Sequence, residues 1–210
     1  MAGRRKGRRA PKPEERQRDA ERTRRALLDA ALIEFAAKGL AGARVSEIAD
    51  RAGVNRQLIS YYFDGKDGLY RALVEHWLAR EEEFGAAELP FDELVARYVE
   101  DSVEERELHR LFVRESLEDA APAGQGRVGI SEADVADLRR RQRDGEIADD
   151  LDPAFLLLAL QGTVSAGITF PDDVRRLTGL DPATREFAER YAEQVRRIVR
   201  HLMSANDGSG

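Results

Sequence analysis

Polar side chains that can read DNA bases are concentrated in one short stretch of this 210-residue chain. A glutamine such as Gln57 can bond an adenine edge through two atoms, and an arginine such as Arg56 can reach guanine or a phosphate. Leu58 and Ile59 are apolar and supply the inner face of a helix here, so the polar residues around them face outward. These outward residues are Arg56, Gln57, Ser60 and Tyr61.

Two short helices joined by a tight turn are predicted around these residues, from Ser46 to Phe63. Gly53 is placed to end the first helix, where the backbone needs a positive φ. Asn55 is a good N-cap for the second helix, because its side chain can accept a hydrogen bond from an unpaired amide. This helix-turn-helix pattern places its second helix in the major groove of DNA, but it also occurs in helical proteins that never bind DNA.

The sequence on both sides of the pattern distinguishes these two possibilities. The block from Arg24 to Leu73 resembles the DNA-binding domain of the TetR family of bacterial transcriptional regulators. The resemblance covers about the first third of the chain, and beyond it only a pattern of helices is visible. Its landmarks are Ala31, Phe35, Gly39, Ile48-Ala49, Ala52-Gly53-Val54, Tyr62-Phe63 and Lys66-Asp67-Gly68-Leu69.

The resemblance implies which residues contact DNA. The second helix of the pattern reads the major groove from Asn55 to Tyr62, as in the family. Tyr62 and Lys66 match family positions that contact phosphates, and Thr23 and Arg24 stand at the start of the first helix. Together with the outward residues and the polar groups near the second helix, the predicted DNA-binding residues are Thr23, Arg24, Arg44, Ser46, Asn55, Arg56, Gln57, Ser60, Tyr61, Tyr62 and Lys66.

Three positions differ from the usual family pattern. Gln57 stands where the family often has glycine, and Ser60 stands where it often has an aromatic residue, so the operator sequence cannot be taken from a relative. Arg44 replaces the frequent serine or threonine cap of helix 2, and its charge suits a phosphate. Core packing is the alternative interpretation for Tyr61 and Tyr62.

Composition indicates a helical protein with a sizeable core. Hydrophobic residues make up 42% of the chain and charged residues 35%, with only 7 prolines. The chain contains no cysteine, which excludes disulfides, thiolate catalysis and cysteine metal sites. No apolar run approaches the roughly 18 to 20 residues that a membrane helix needs, and the basic N-terminus lacks the apolar stretch of a signal peptide. We therefore expect a cytoplasmic protein with no membrane partner.

The net charge of −6 conceals a basic N-terminal part and an acidic remainder. Residues 1–68 contain 16 Lys+Arg and 10 Asp+Glu, whereas the remainder contains 18 basic and 30 acidic residues. Such a distribution can present the basic part to phosphate and keep the acidic body away from it.

The pattern of apolar residues predicts an all-α chain of about nine helices, in which a long helix 4 joins the DNA-binding domain to a helical body. We expect a disordered basic tail at 1–22, a helix-turn-helix domain at 23–68, a ligand-binding and dimerisation domain at 69–205, and a disordered tail at 206–210. The basic tail is either a solubilising segment or an arm that follows the DNA backbone. The segment 170–181 is expected to be a connection between the last two helices.

Patterns typical of enzymes or metal proteins are weak in this chain. The G-x-G-x-x-G spacing at 124–129 lacks the preceding strand that a dinucleotide site requires, so a mobile loop is expected there. His76, His109 and His201 lie far apart, and no pair has the spacing of a helical metal site. The arginines at 139–141 and 143 are expected to form a solvated or ion-paired face. We therefore predict no catalytic residue, no cofactor and no metal.

The body is predicted to bind a small molecule and to form a homodimer. The TetR resemblance implies a repressor that leaves its double-stranded DNA operator when a ligand enters a pocket formed by helices 4 to 8. Polarity and aromatic content suggest Trp77, Tyr98, Phe112, Glu115 and Gln161 as lining residues. The resemblance places the dimer interface on the last two helices, and their apolar residues are Leu157, Val164, Phe187, Tyr191, Val195, Ile198 and Leu202.

Two alternatives remain at this stage. One is a dimeric DNA-binding protein without small-molecule control, whose body only dimerises. The other is a helical enzyme whose N-terminal block has a structural role, although no coherent catalytic set supports it.

Overall fold

A computed structural model describes residues 13–83, 89–118 and 130–203, and every regular element within these ranges is an α-helix. Residues 1–12 of the expected tail, the glycine motif at 124–129 and the C-terminal tail at 206–210 lie outside the described residues. The helices are α1 Pro13–Gly42, α2 Val45–Ala52, α3 Gln57–Phe63, α4 Lys66–Glu83, α5 Phe91–Glu104, α6 Arg106–Glu118, α7 Glu132–Arg143, α8 Pro153–Thr169, α9 Pro171–Thr178 and α10 Arg185–Met203.

The all-α prediction is confirmed, but the described ranges contain ten helices because the expected connection at 170–181 includes α9. Pro171 stands in the first turn of α9, where its missing amide hydrogen costs nothing. Acidic residues in the first turn and arginines in the last turn complement the helix dipole. Gly179 ends the helix in the left-handed conformation, with φ 73°. The local signals for α9 were thus present in the sequence.

The first helix begins at the early limit of its predicted start, between Pro13 and Thr23, and ends later than the predicted Lys38. It begins at Pro13, so residues 13–22 are helical and not part of a disordered tail. Hydrogen bonding between Gln17 and Glu21 and an ion pair between Asp19 and Arg22 support this exposed segment. The chain bends at Gly39 (φ 70°) and then makes one more helical turn to Gly42.

One apolar cluster joins the N-terminal head, meaning α1 to α3, to the helices α4 and α6. Phe35 and Ile59 of the head pack in it with Leu73 of α4 and Leu111 of α6, and all four are buried. Arg114 of α6 also donates a hydrogen bond of 2.8 Å to the carbonyl of Ala37. The head therefore shares its core with two helices that follow it in the chain.

A second apolar cluster is formed by α5, α7, α8 and α10. The last helix, α10, lies along α5, and Val195 and Val199 are buried there. Ion pairs flank this contact: Arg196 lies 3.1 Å from Glu93, and Arg200 bonds Asp92 at 2.6 Å. The amphipathic face of α10 is thus used within its own chain.

The arginine-rich face of α7 differs from the expected solvated face at one position. Arg140 is paired with Asp137, as expected. Arg141 is instead buried, where it bonds Asp137 and Glu146 and lies over the ring of Phe91. A buried guanidinium is tolerated here because its donors are met by two carboxylates and a backbone carbonyl.

A polar seam, defined as Arg80, Asp101, Glu105 and His109, lies where α4, α5 and α6 meet between the two clusters. Arg80 pairs with Asp101 and lies 3.4 Å from Glu105. His109 is buried, whereas the other two histidines are exposed.

No single described helix is long and apolar enough to cross a bilayer, although α8 and α9 together, bent by 83°, pass that test by length and composition.

Candidate nucleic-acid interface

The turn between α2 and α3 is fixed by backbone conformation and by one side-chain cap. Gly53 adopts φ 67°, which a residue with a Cβ reaches only with strain, and the amides of Gly53 and Val54 bond carbonyls of the last turn of α2 at 3.1 Å. The side-chain oxygen of Asn55 accepts a hydrogen bond of 2.8 Å from the amide of Gln57. This is the capping role that the sequence predicted for Asn55.

The recognition helix, α3, is held against α4 by a close backbone approach. Ile59 and Phe63 point into the head's core and are buried. A Cβ added to Gly68 would lie 1.4 Å from the carbonyl oxygen of Phe63, so only glycine fits at this position. This contact fixes the angle between α3 and α4.

The remaining face of α3 is polar and exposed. Tyr61 is 78% exposed, so it does not take part in core packing. Its ring meets that of Tyr62 at 4.9 Å, edge to face, and Tyr62 is half-buried against the core. The exposed face consists of Arg56, Gln57, Ser60 and Tyr61, the residues that the sequence placed outward.

Helix α1 passes beside the end of α3 at Arg24. The guanidinium of Arg24 is 4.9 Å from the centre of the Phe63 ring. Arg24, Ser60 and Tyr61 line one open groove with a volume of about 290 Å³. The hydroxyl of Thr23 donates to the carbonyl of Asp19 at 2.8 Å, so that hydrogen is already used within α1.

Lys66 and the N-terminus of α2 occupy the other side of the head. The ammonium of Lys66 donates hydrogen bonds to the carbonyls of Ala41 and Ala43, at 3.3 and 3.4 Å, and thereby joins the start of α4 to the end of α1. This structural role was not predicted. Arg44 and Ser46 are exposed, and neither side chain caps α2, so both remain available for a phosphate.

The structure does not gather the five predicted ligand-lining residues around one cavity. Trp77 and Phe112 pack against each other at 5.4 Å in the shared core, and Glu115 accepts a hydrogen bond from Tyr70 beside them. Gln161 is exposed on α8 and cannot line the same space. Tyr98 is half-buried on α5. These ligand-lining residues therefore stay a prediction, since polarity along a helix does not tell which neighbouring helix covers it.

Two buried N–H groups have no hydrogen-bond partner among the described residues. They are Nε of Arg80, in the polar seam, and Nε1 of Trp77, next to it. The Trp77 ring also meets the His109 ring edge to face at 4.6 Å. Unmet donors in a buried site favour an added hydrogen-bond acceptor. Within the described ranges, no group of three or more histidine or acidic residues is arranged to hold a metal ion.

The predicted dimer residues divide into buried and accessible ones. Val195 is 1% exposed and packs within its own chain, so the structure does not support it as a surface residue of an interface. Phe187 is largely buried but lines an open groove. Ile198, by contrast, is 58% exposed. Leu157, Val164, Tyr191 and Leu202 are half-buried, and Tyr191 donates to the carbonyl of Thr163 at 3.0 Å.

Apolar side chains that the sequence did not assign to an interface are exposed on α8, on α9 and between them, namely Phe155, Leu158, Phe170 and Leu177. An open groove of about 420 Å³ lies between the end of α9 and α10 and is lined by Leu180, Phe187, Tyr191 and Gln194 among others. Without α9, this groove could not be anticipated from the sequence.

Both parts of the chain match known protein families. The model for "Bacterial regulatory proteins, tetR family" matches residues 27–73, and that for "Tetracyclin repressor-like, C-terminal domain" matches residues 91–201. The chain is 30% identical over 191 residues to the HTH-type transcriptional repressor SCO4008 of Streptomyces coelicolor, covering 87% of this chain and 97% of that protein. It is 27% identical over 195 residues to the HTH-type transcriptional regulator RutR of Escherichia coli K12, covering 88% and 92%.

Solved structures share the fold at lower identity. The crystal structure of SCO4942 from Streptomyces coelicolor superimposes with a TM-score of 0.65 at 24% identity, covering 84% of this chain and 97% of that one. A gamma-butyrolactone receptor, described as an ArpA-like protein, superimposes with a TM-score of 0.59 at 21% identity, covering 87% and 99%.

Proposed function

The chain belongs to the TetR family of bacterial regulatory proteins and is a DNA-binding transcriptional regulator, and we propose that it is a homodimeric repressor released from its operator by a small molecule. The relatives it matches are transcriptional regulators and not enzymes. For this role we divide the chain into a DNA-binding domain at 23–68 and a ligand-binding and dimerisation domain at 69–205. A regulator of this kind works on the chromosome, so we place it in the cytoplasm.

The observation that carries the proposal is the exposed polar face of α3 on a rigidly held recognition helix. The cap at Asn55 fixes its start, and the contact between Gly68 and Phe63 fixes its end. Gln57 and Arg56 are then presented at the beginning of the helix, where major-groove readers contact bases. We assign base reading to these two residues and phosphate binding to Arg44, Ser46 and the groove residues beside Arg24.

A homodimer follows from the geometry of DNA recognition and from the exposed apolar surface. Two linked recognition helices bind two half-sites more tightly than separate monomers do. The exposed apolar side chains of α8 and α10, including Phe155, Leu158 and Ile198, would be covered by a second copy. The interface we propose centres on these residues, with the half-buried Leu157, Val164, Tyr191 and Leu202 behind them.

Small-molecule control is supported by the polar seam. Trp77 Nε1 and Arg80 Nε have no hydrogen-bond partner among the described residues and could donate to an acceptor atom of a ligand. The head shares its apolar core with α4 and α6, so a displacement at the seam moves the head with those helices. The described likeness to a gamma-butyrolactone receptor agrees with a ligand-controlled repressor.

The first test is to select bound fragments from genomic DNA and to measure binding of the purified protein to the selected duplex and to random duplexes of equal length. We expect a two-fold symmetric site and a preference for it of about a thousandfold or more, as for specific regulators. Equal affinity for all duplexes would contradict the proposal.

The second test concerns ligand control. Trp77 is the only tryptophan in the chain, so its fluorescence reports directly on the seam. A compound that raises the melting temperature is titrated into free protein and into the protein–operator complex. Linkage requires that ligand weakens DNA binding by the same factor as DNA weakens ligand binding, about 5- to 150-fold for a useful switch. Equal ligand affinities in the two titrations would favour the second candidate.

That second candidate is a dimeric regulator without a ligand. The observation favouring it is that Trp77, Phe112 and Glu115 are packed in the core shared with the head. If no compound shifts the melting temperature and operator binding is constitutive, the regulator without a ligand replaces the ligand-controlled repressor as the proposed function.

A further inference from the structure

One helix of the body, α6, contacts both the head and the helices proposed for the dimer interface. Its residue Leu111 is fully buried in the apolar cluster that includes the head. Its first residue, Arg106, reaches the place where the end of α8 meets the start of α10. We call this place the α8–α10 junction, and it consists of Gly167, Pro182 and Phe187. A helix of 13 residues is about 20 Å long, so one rigid element connects the two regions.

The guanidinium of Arg106 donates hydrogen bonds to two backbone carbonyls on separate segments. One bond of 3.3 Å goes to Gly167 in the last turn of α8, and one of 3.2 Å goes to Pro182, shortly before α10 begins. Burial lowers the pKa of the guanidinium from its ordinary value, which marks a charge partly withdrawn from water. Because an arginine presents its donors in a rigid planar fork, it holds two acceptors in a fixed relation.

The carbonyl of Gly167 depends on a donor from outside its own helix. In an α-helix it would be bonded by the amide four residues later, but that residue is Pro171, which has no amide hydrogen. The amide of Phe170 already donates to the carbonyl of Ala166. Gly167 is buried, so leaving its carbonyl unpaired would be costly. Arg106 therefore caps α8 from a different helix.

The α8–α10 junction is closely packed around this contact. A Cβ added to Gly167 would lie 3.0 Å from the ring of Phe187 and 3.6 Å from Pro182. The Phe187 ring stacks on that of Tyr191, one turn further along α10, with 5.2 Å between the ring centres. The end of α8 and the start of α10 are thus held together, and Arg106 joins α6 to both.

The other end of α6 is joined to the head by a similar contact. Arg114 donates to the carbonyl of Ala37 at 2.8 Å, two residues before the bend of α1 at Gly39. Arg106 and Arg114 are separated by about 12 Å along the helix axis. Each of them thus bonds the backbone of another helix, one on the side of the proposed interface and the other on the side of the head.

We propose that Arg106 is a positioning residue for operator recognition, which fixes the angle between each head and the dimer and thereby the half-site spacing that the dimer accepts. This rests on the proposed homodimer and its operator binding. Arg106 lies outside the recognition surface, so it acts through the orientation of α3. One added base pair moves a half-site by about 3.4 Å and rotates it by about 35°, and a rigid dimer cannot follow both changes.

The test replaces Arg106 and measures the spacing preference of the full chain. The variant is Arg106→Met, which keeps an apolar stem and removes the donors. Fluorescence anisotropy gives the affinities for the selected operator, for duplexes with one base pair added or removed between the half-sites, and for a single half-site. The matched control is Arg110→Met, one turn further along α6, because Arg110 is exposed and pairs with Glu107 at 3.2 Å.

Wild type and control should both prefer the selected spacing. In Arg106→Met, the ratio of the affinities for the selected and the altered spacing should fall by about 2- to 30-fold, the range for residues that couple two sites. The affinity for a single half-site should stay unchanged, because the head itself is intact. A purely structural role of Arg106 would lower the melting temperature and leave this ratio at the wild-type value, and that result overturns the proposal.

A second readout needs no DNA and covers poor folding of Arg106→Met. The milder variant Arg106→Lys keeps the charge, but its compact ammonium cannot reproduce the fork that holds both carbonyls. The chain contains no cysteine, so Asp50→Cys, at an exposed position of α2, places one spin label on each head of the dimer. The distribution of distances between the labels should become broader or shift in Arg106→Lys. A distribution identical to that of the labelled wild type overturns the proposal.

Failure of the proposed function itself looks different. A wild-type protein that is monomeric by light scattering, or that binds every duplex alike, overturns the proposed function and this inference with it. A dimeric wild type with a spacing preference that Arg106→Met retains overturns only the role of Arg106.

Discussion

His109 on α6 lies 3.1 Å from Asp101 on α5, with its ring Nε2 facing the carboxylate Oδ2. Asp101 also pairs with Arg80 on α4, so one buried carboxylate joins three helices of two apolar clusters. Burial alone would raise the pKa of Asp101, but the hydrogen bonds from His109 and Arg80 and their charges hold its pKa below the ordinary value. The polar seam is therefore a specific joint between head and body.

Asp101→Asn should destabilise the protein at neutral pH by about 3 kcal/mol or more, because it leaves Arg80 without its buried counter-charge. The folded pKa of Asp101 is depressed, so its contribution is present above the unfolded pKa and is lost as pH falls through the lower folded pKa. Urea unfolding at pH 7 and at pH 3 should show the gap between wild type and variant narrowing at the lower pH.

The control for this prediction is Asp172→Asn. Asp172 pairs with Arg175 at 3.1 Å but is 97% exposed, so its loss should cost no more than about 1 kcal/mol. Equal costs for the two variants would mean that the seam is not a stabilising joint.

Gly68→Ala should destabilise the protein by more than the strain of an unfavourable φ angle would. The new methyl would overlap the Phe63 carbonyl, so the backbone between α3 and α4 must move, at a cost of about 3 kcal/mol or more. Gly53→Ala is the comparison, because its φ is 67° and nothing lies within 4 Å of an added Cβ. It should cost about 1–2 kcal/mol from strain alone. Thermal unfolding ranks the two, and the reverse order would refute the close contact.

Gln57→Ala should relax the base preference at one position of each half-site and weaken operator binding by about 1–3 kcal/mol, because a two-atom contact to a base edge is lost. Repeating the selection from random DNA measures this directly. Gln161→Ala, an exposed glutamine on α8, should leave both the selected sequence and the affinity unchanged. An unchanged selection with Gln57→Ala would show that this residue does not read bases.

Ile198→Glu and Val195→Glu should fail in different ways, although they lie three residues apart on α10. Ile198 is exposed, so the charge should give a folded monomer that binds its operator weakly. Val195 is buried against α5, so a charge there should unfold the chain. Light scattering and circular dichroism distinguish the two results. Leu117→Glu, at an 80% exposed position on α6, should remain a folded dimer.

Local rules were enough to predict the recognition unit. A glycine at a left-handed position, an asparagine cap and two apolar residues facing inward act over a few residues, and each is present between Gly53 and Ile59. The same kind of local signal marks α9, where proline begins the helix and Gly179 ends it. The expected connection at that place was therefore wrong for a reason that the sequence itself contained.

The arrangement of the body depended on contacts between distant residues. Which face of α10 is buried is decided by α5, so Val195 and Ile198 look alike in the sequence but differ completely in exposure. The joint of Arg80, Asp101 and His109 comes from three separate helices, and nothing in the local sequence of any one of them identifies the other two. Helix periodicity tells which residues share a face, whereas only tertiary packing decides what covers that face.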